Sequence, residues 1–209
     1  MIEFIGFKKF YGNQLALEIP DCTIQEGIYW VKGVNGSGKS SLLKSMAGML
    51  AHQGDILVDG VSIKKEPENY RSKVNFGEAE PVYPEFITGN EMIGFFISAK
   101  KGDSLQTTKL IERMQMAHFL DAPVKSYSSG MLKKLSLVLA FIGNPKVILL
   151  DEPLTTIDTA ALNILYGLIN EYRHQHGITF LITSHQALDA QILKDVQQLT
   201  IENKTLRRF

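Results

Sequence analysis

Eight consecutive residues carry the clearest chemistry in the chain: Gly33-Val34-Asn35-Gly36-Ser37-Gly38-Lys39-Ser40. They fit G-x-x-x-x-G-K-[ST], the spacing of a phosphate-binding loop. Three glycines let the backbone curl so that successive N–H groups point inward at phosphate oxygens. A helix opening at the end of the loop aims its positive end at the same anion. Lys39 would reach the β- and γ-phosphates, and the Ser40 hydroxyl would ligate Mg²⁺.

Two later clusters could complete such a site. Asp151 follows Val147-Ile148-Leu149-Leu150, a fully apolar run of the kind a buried parallel strand has. Open α/β sheets bind ligands at the carboxyl ends of their strands, so Asp151 can hold the Mg²⁺ that Ser40 touches. Glu152 is the next residue and points elsewhere, where it can orient or deprotonate a water for attack on the γ-phosphate. Alone, an Asp-Glu pair after a strand is as often a helix cap; beside a phosphate loop, the chemical role is favoured. His185 follows a second buried run, Ile178-Thr179-Phe180-Leu181-Ile182, and so lies along the same edge, within range of a γ-phosphate. His174 and His176 are i, i+2, do not share a helix face and read as solvated. His52 and His118 carry no pattern.

The elements that must position these groups follow from local chemistry. Ile28-Tyr29-Trp30-Val31 is β-branched and aromatic and predicts a strand before the loop; Ser41–Ala47 predicts a helix after it, ended by Gly48. Ile2–Phe7 alternates as a strand should. Tyr11-Gly12-Asn13 reads as a turn, and Leu15–Ile19 as a strand ended by Pro20. Tyr11 could stack on an adenine ring or cap the sheet; its position alone favours the cap. Asp59-Gly60 between apolar runs predicts a hairpin. Lys64–Arg71, with Pro67, predicts a surface loop or short helix, and Val74–Gly77 a strand. Glu78–Pro84 holds two prolines and reads as loop. Thr88 and Glu91 form a capping box before a helix through Phe96. Leu110, Ile111, Met114 and Ala117 form an amphipathic stripe. The runs Met92–Ala99 and Leu135–Gly143 are too short to span a bilayer and read as core helices, their methionines and phenylalanines buried. Ser126–Gly130 opens a helix from about Met131 to Ile142, stopped by Gly143-Asn144-Pro145. Another helix runs from about Thr159 to His174 and ends near Gly177. Gln198–Phe209 predicts a hairpin turning at Glu202-Asn203-Lys204.

Composition bounds the rest. The chain has 209 residues, 44% hydrophobic and 21% charged, enough for one large domain with a true core. The formal net charge of +0 removes the general electrostatic case for nucleic acid. A single cysteine, Cys22, fits a reducing compartment and is expected to pack as a small apolar residue. Met1 leads straight into a strand-like stretch, so no signal peptide is expected.

Together these motifs resemble the nucleotide-binding subunits of ATP-binding cassette (ABC) transporters, in the family's order and over nearly the whole chain. Gly33–Ser40 resembles the Walker A loop, and Val147–Asp151 Walker B. Ser128-Ser129-Gly130-Met131 stands where the Leu-Ser-Gly-Gly-Gln signature belongs. Leu154–Asp158 matches the D-loop, with Asp158 its aspartate. The resemblance implies a P-loop NTPase of the α/β class, with a RecA-like, mostly parallel core sheet, an N-terminal antiparallel β subdomain and an inserted α-helical subdomain. It implies a single domain over 1–209, with core and β subdomain at about 1–77 and 143–209, and the helical subdomain at about 78–142. It further implies ATP contacts from Tyr11, which stacks on adenine, and from Asn35, Gly36, Ser37, Gly38, Lys39, Ser40 and Ser41. Ser40 and Asp151 would bind Mg²⁺, Glu152 would be the catalytic glutamate, and His185 the switch histidine. Ser128, Ser129, Gly130 and Met131 would act in trans.

Two departures from the family pattern stand out. Ser129 replaces a signature glycine and Met131 its glutamine, as in drug- and polysaccharide-export ATPases. The glutamine that helps bind Mg²⁺ and senses the membrane partner should fall near Glu78-Ala79-Glu80, where Glu78 or Glu80 would substitute for it. The implied protein is a cytoplasmic ATPase subunit with ATP and Mg²⁺ as cofactors. It would sit on the inner face of the membrane through a separate transmembrane permease, and pair with itself or with another cassette. The alternative, a non-transport ABC ATPase acting on nucleic acid or ribosomes, usually carries a coiled-coil insertion or a second cassette. A GTP switch would want Asn-Lys-x-Asp after a strand, and Ile182-Thr183-Ser184-His185 does not supply it.

Overall fold

The structure, a computed structural model, describes residues 1–189 and 191–208, with the backbone alone at Arg208. Two sheets share the chain. The first is antiparallel: β1 (Ile2–Tyr11) lies between β2 (Gln14–Ile19) and β5 (Gln53–Val58), with β6 (Val61–Ser62) on β5 and β3 (Cys22–Ile24) on β1. Asp59 and Gly60 join β5 to β6 with φ of 49° and 74°, the two left-handed residues of a tight hairpin.

The second sheet runs β11-β10-β4-β9-β8-β7. Its strands β4 (Ile28–Lys32), β7 (Val74–Gly77), β8 (Val147–Leu150), β9 (Thr179–Thr183) and β10 (Val196–Glu202) are mutually parallel. Only β11 (Thr205–Arg208) turns back, through Asn203-Lys204. That hairpin was expected to continue to Phe209, which lies outside the described residues.

Parallel strands need crossovers, and helices α1 (Lys39–Met46), α2 (Pro67–Lys73) and α6 (Thr159–His176) supply them. Between β7 and β8 the chain makes α3 (Gly89–Lys100), α4 (Ser104–Arg113), a 3₁₀ turn at Val124–Ser126 and α5 (Ser129–Phe141). Thr88 caps α3 in the expected box with Glu91: its hydroxyl accepts from Glu91 N–H, and Glu91 Oε2 accepts from Thr88 N–H at 2.8 Å. Gly177, at φ 65°, ends α6.

Period-two alternation divides the core between the two faces of the parallel sheet. Val147, Leu149 and Leu181 pack with Tyr29, Val31 and α1 on one face; Ile148, Leu150, Phe180 and Ile182 pack with α5 and α6 on the other. Register then does the positioning. Val31 lies beside Thr183, Ile182 beside Leu150, and Leu150 beside Gly77. The chain therefore leaves four neighbouring strands along one edge, at residues 33, 78, 151 and 184.

Three sequence expectations need correction. Cys22 is exposed rather than packed. The stripe ending at Ala117 breaks: α4 stops at Arg113, Gln115 takes φ 55°, and the turn buries Met116 while leaving Ala117 exposed. The run Met92–Ala99 is core only in part. Met92 and Ile93 are buried, but Phe95 is 67% exposed, because α3 packs on α5 by one side alone.

Candidate functional site

The loop between β4 and α1 is built by its glycines. Gly36 and Gly38 take φ of 76° and 104°, and a Cβ on Gly33 would collide with the Ser37 hydroxyl. The loop closes on itself through Ser37 N–H, which donates to Val34 O at 3.1 Å. Lys39 was expected to face a ligand. Its ammonium instead turns into the loop and donates to Gly33 O at 2.9 Å and Val34 O at 3.3 Å, leaving the residue buried. Asn35, Gly36 and Ser40 are exposed and Ser41 half-buried. The Ser37 hydroxyl is buried with no partner. A buried hydroxyl without a partner and an ammonium held on the carbonyls of the same glycine-rich loop suit a phosphate.

Tyr11 stands over this loop at the end of β1. Its hydroxyl shares a 2.8 Å hydrogen bond with Ser41 Oγ, and Lys9 Nζ lies 4.6 Å from its ring centre. A cleft of about 680 Å³ opens between Tyr11, Leu15, Ala16, Val34 and the Asn203-Lys204 turn. Tyr11 is about half exposed and lines the cleft.

At the neighbouring strand end, Asp151 is buried and Glu152 takes φ 45°. That left-handed turn parts the two side chains. Thr183, fully buried at the end of β9, joins them: its hydroxyl donates to Asp151 Oδ1 at 2.6 Å and accepts from Glu152 N–H at 2.9 Å. The bond fixes the carboxylate rotamer of Asp151. Glu152 Oε2 accepts from His185 N–H at 3.2 Å, and His185 Nε2 lies 3.4 Å from Oε1. The structure thus brings Asp151, Glu152 and His185 together.

Among the described residues no cluster of three acidic, histidine or cysteine side chains could cage a metal. One carboxylate and one hydroxyl, Asp151 and Ser40, suit Mg²⁺, which takes few protein ligands and completes its shell with phosphate oxygens and water. At the end of β7 the two glutamates part. Glu78 Oε1 sits 3.4 Å from Lys44 Nζ on α1, whereas Glu80 is exposed on the loop.

Ser128 caps α5. Its hydroxyl accepts from Met131 N–H at 3.2 Å, and its own N–H is met by Met131 Sδ at 3.5 Å. The thioether so takes the place of the glutamine usual in a capping box, as a weaker acceptor. Gly130 is held close: a Cβ there would stand 3.0 Å from Thr156 O. Asp158 caps α6 by accepting from Ala161 N–H at 2.8 Å, a bond that holds its carboxyl below the usual range, and it pairs with Lys134 at 3.4 Å. Ser128 and Ser129 are exposed. Among the described residues, no hydrogen bond or ion pair joins 128–131 to the phosphate loop.

Sequence reasoning missed Thr183, Lys44 and Lys133. Thr183 showed as a hydroxyl at the end of an apolar run. Lys133 showed as a cation on the buried face of α5.

Comparisons with known proteins bear on the fold and the family. The family model described as ABC transporter matches residues 18–155. Among solved structures, an ATP-binding subunit of an ABC transporter superposes with a TM-score of 0.87 at 23% identity, covering 100% of this chain and 90% of that one. A dimeric cassette in a post-hydrolysis state bound to ADP and Pi gives 0.82 at 20% identity, over 100% and 97%. An ATP-binding protein from Pyrococcus furiosus, a putative ABC transporter by its description, gives 0.75 at 22%, over 96% of both chains. These identities speak for the fold, and the family match for membership: the chain belongs to the ABC transporter family, as an ATP-binding and ATP-hydrolysing cassette.

Proposed function

We propose that this cassette drives an export-type transporter, working as one of two paired cassettes bound to a separate membrane-spanning partner. The observation that carries this reading is the isolation of the signature. Ser128 and Ser129 are presented outward, with no bond to the phosphate loop of their own chain. Such a half-site is useful only to a second cassette. The similar cassette with ADP and Pi is itself a dimer, which supports the pairing. Ser129 and Met131 in the signature support the export class.

In this reading Tyr11 stacks on adenine, and the N–H groups of Asn35 to Ser41, with Lys39 and the Ser37 hydroxyl, hold the phosphates. Ser40 and Asp151 hold Mg²⁺, which neutralises charge on the β- and γ-phosphates when bound. Glu152 takes the proton of the attacking water, and His185 keeps its carboxylate aimed. Glu78 stands in for the missing glutamine. Asp158 steadies the signature helix through Lys134. The division at about 78 and 142 separates a nucleotide-holding body from a signature-carrying one.

Individually exposed apolar side chains on the helical segment support the membrane partner. Val82, Phe86, Phe95 and Leu105 are each more than half exposed, on the loop after Glu78 and on α3 and α4. No helix among the described residues is long and apolar enough to cross a membrane. Affinity capture of the tagged cassette from detergent-solubilised membranes tests this. A multi-spanning protein in stoichiometric yield supports transport. Ribosomal protein or nucleic acid in its place overturns it.

A further inference from the structure

Lys133 is a charged residue with 1% of its surface exposed, two residues past the signature on α5. Its ammonium donates three hydrogen bonds, all to backbone carbonyls: Glu78 O at 2.9 Å, Ala79 O at 3.0 Å and Asp151 O at 3.1 Å. Every proton of the head is used, on two different strand ends. One turn further along α5, Ser136 Oγ accepts from Glu78 N–H at 3.1 Å. The helix therefore grips both peptide groups of Glu78, where the chain leaves β7. Next to it, Asp151 N–H donates to Gly77 O at 2.9 Å, which joins the two strand ends.

A buried ammonium is costly unless its protons are met, and here all three are, by carbonyls that an apolar side chain would leave unmet. Burial pulls the Lys133 pKa down to about 8, while Asp151, Glu152, Glu78 and Glu80 work to keep it charged. Its three acceptors are backbone groups, so the lysine fixes where those strand ends lie rather than neutralising one partner.

We propose that Lys133 is a positioning residue for hydrolysis. It ties the signature helix to the backbone carrying Glu78 and Asp151-Glu152, so that a displacement of the signature moves the carboxylates at the γ-phosphate. This rests on the roles proposed above for Glu152 and the signature. Ligand binding by the loop at 33–41 does not pass through this tie, so nucleotide affinity and turnover should separate.

Lys133→Met, Lys133→Arg and Ser136→Ala, assayed beside wild type and Glu152→Gln in the full chain, test it. In Lys133→Met, kcat should fall about tenfold or more, the range typical of lost outer-shell partners. ATP affinity without Mg²⁺ should change by no more than the few-fold that a displaced Glu78 carries, well short of the loss in kcat. Lys133→Arg should recover part of the turnover. In nucleotide-free protein, backbone hydrogen exchange at 78–80 should speed up while α1 stays protected. Unchanged kcat in folded Lys133→Met overturns the proposal, as does a kcat loss matched by an equal loss of Mg²⁺-free affinity. Should Lys133→Met fail to fold, Ser136→Ala decides: lower kcat at unchanged affinity supports the tie, and unchanged kcat removes it. Wild-type hydrolysis by Glu152→Gln would instead overturn the base assignment.

Discussion

The phosphate loop and the signature are both helix N-termini opened by small residues, yet they are finished differently. The loop at 33–40 is closed: Lys39 is folded into its carbonyls, and Tyr11 is bonded across to Ser41. The start of α5 is open, with Ser128 and Ser129 exposed and its contacts directed to the D-loop at Thr156 and Asp158. In the proposed pairing, the loop at 33–40 would hold its ligand by itself, and the open start of α5 would meet a ligand held by a second cassette.

The strongest test separates chemistry from pairing. Glu152→Gln keeps the side-chain shape but removes the proposed base, and should slow hydrolysis roughly 10²–10⁴-fold while ATP still binds. The ATP-loaded variant should then elute from a sizing column as a dimer, and wild type as a monomer. Adding Ser128→Arg should abolish that dimer without loss of monomeric ATP binding. A Glu152→Gln protein that saturates with ATP yet stays monomeric would contradict self-pairing and point to a different partner cassette.

Lys39→Ala probes the closed half. Its ammonium makes charged hydrogen bonds that no other side chain at the loop replaces, so ATP affinity should weaken roughly ten- to hundredfold. The two loop carbonyls it leaves can turn to water, so the unfolding midpoint should hardly move. Calorimetry and thermal melts check both parts. Wild-type affinity would remove Lys39 from the site.

Thr183→Val is smaller and falls on the seam. The substitution keeps the shape, but strips Asp151 of its donor and Glu152 N–H of its acceptor. An unmet buried group costs about 1–3 kcal/mol, visible in denaturant melts. Turnover should fall about tenfold through misplacement of both carboxylates. Unchanged turnover would mean that Thr183 serves only the fold.

How legible this site was differs between its parts for a physical reason. The phosphate loop is contiguous, and its glycines are demanded by local φ, so eight adjacent residues announce it. Asp151, Glu152 and His185 were legible because apolar strand runs mark the sheet edge. Thr183 and Lys133 act across 32 and up to 55 residues of sequence through tertiary contacts, which no local pattern encodes. The exposure of Phe95 and the end of α4 at Arg113 were illegible for a related reason: an apolar stripe predicts a buried face, but not which neighbour covers it or where a turn shifts its phase.

The smallest effect concerns Glu78, where the two halves meet. A carboxylate in place of a glutamine brings negative charge towards the γ-phosphate, so it should oppose ATP without metal and assist once Mg²⁺ is present. Lys44 Nζ, 3.4 Å away, offsets part of that charge, and both side chains are partly exposed. Solvent screening therefore keeps the effect modest. Glu78→Gln should raise Mg²⁺-free ATP affinity a few-fold and flatten the Mg²⁺ dependence of binding, whereas Glu80→Gln, on the exposed part of the loop, should leave both unchanged. Lys44→Gln should act in the opposite sense, steepening the Mg²⁺ dependence, because Glu78 then faces the phosphates uncompensated. If the Mg²⁺ titrations of Glu78→Gln and wild type superimpose, the strand end at residue 78 does not reach the metal, and the signature body influences the phosphate site by another route.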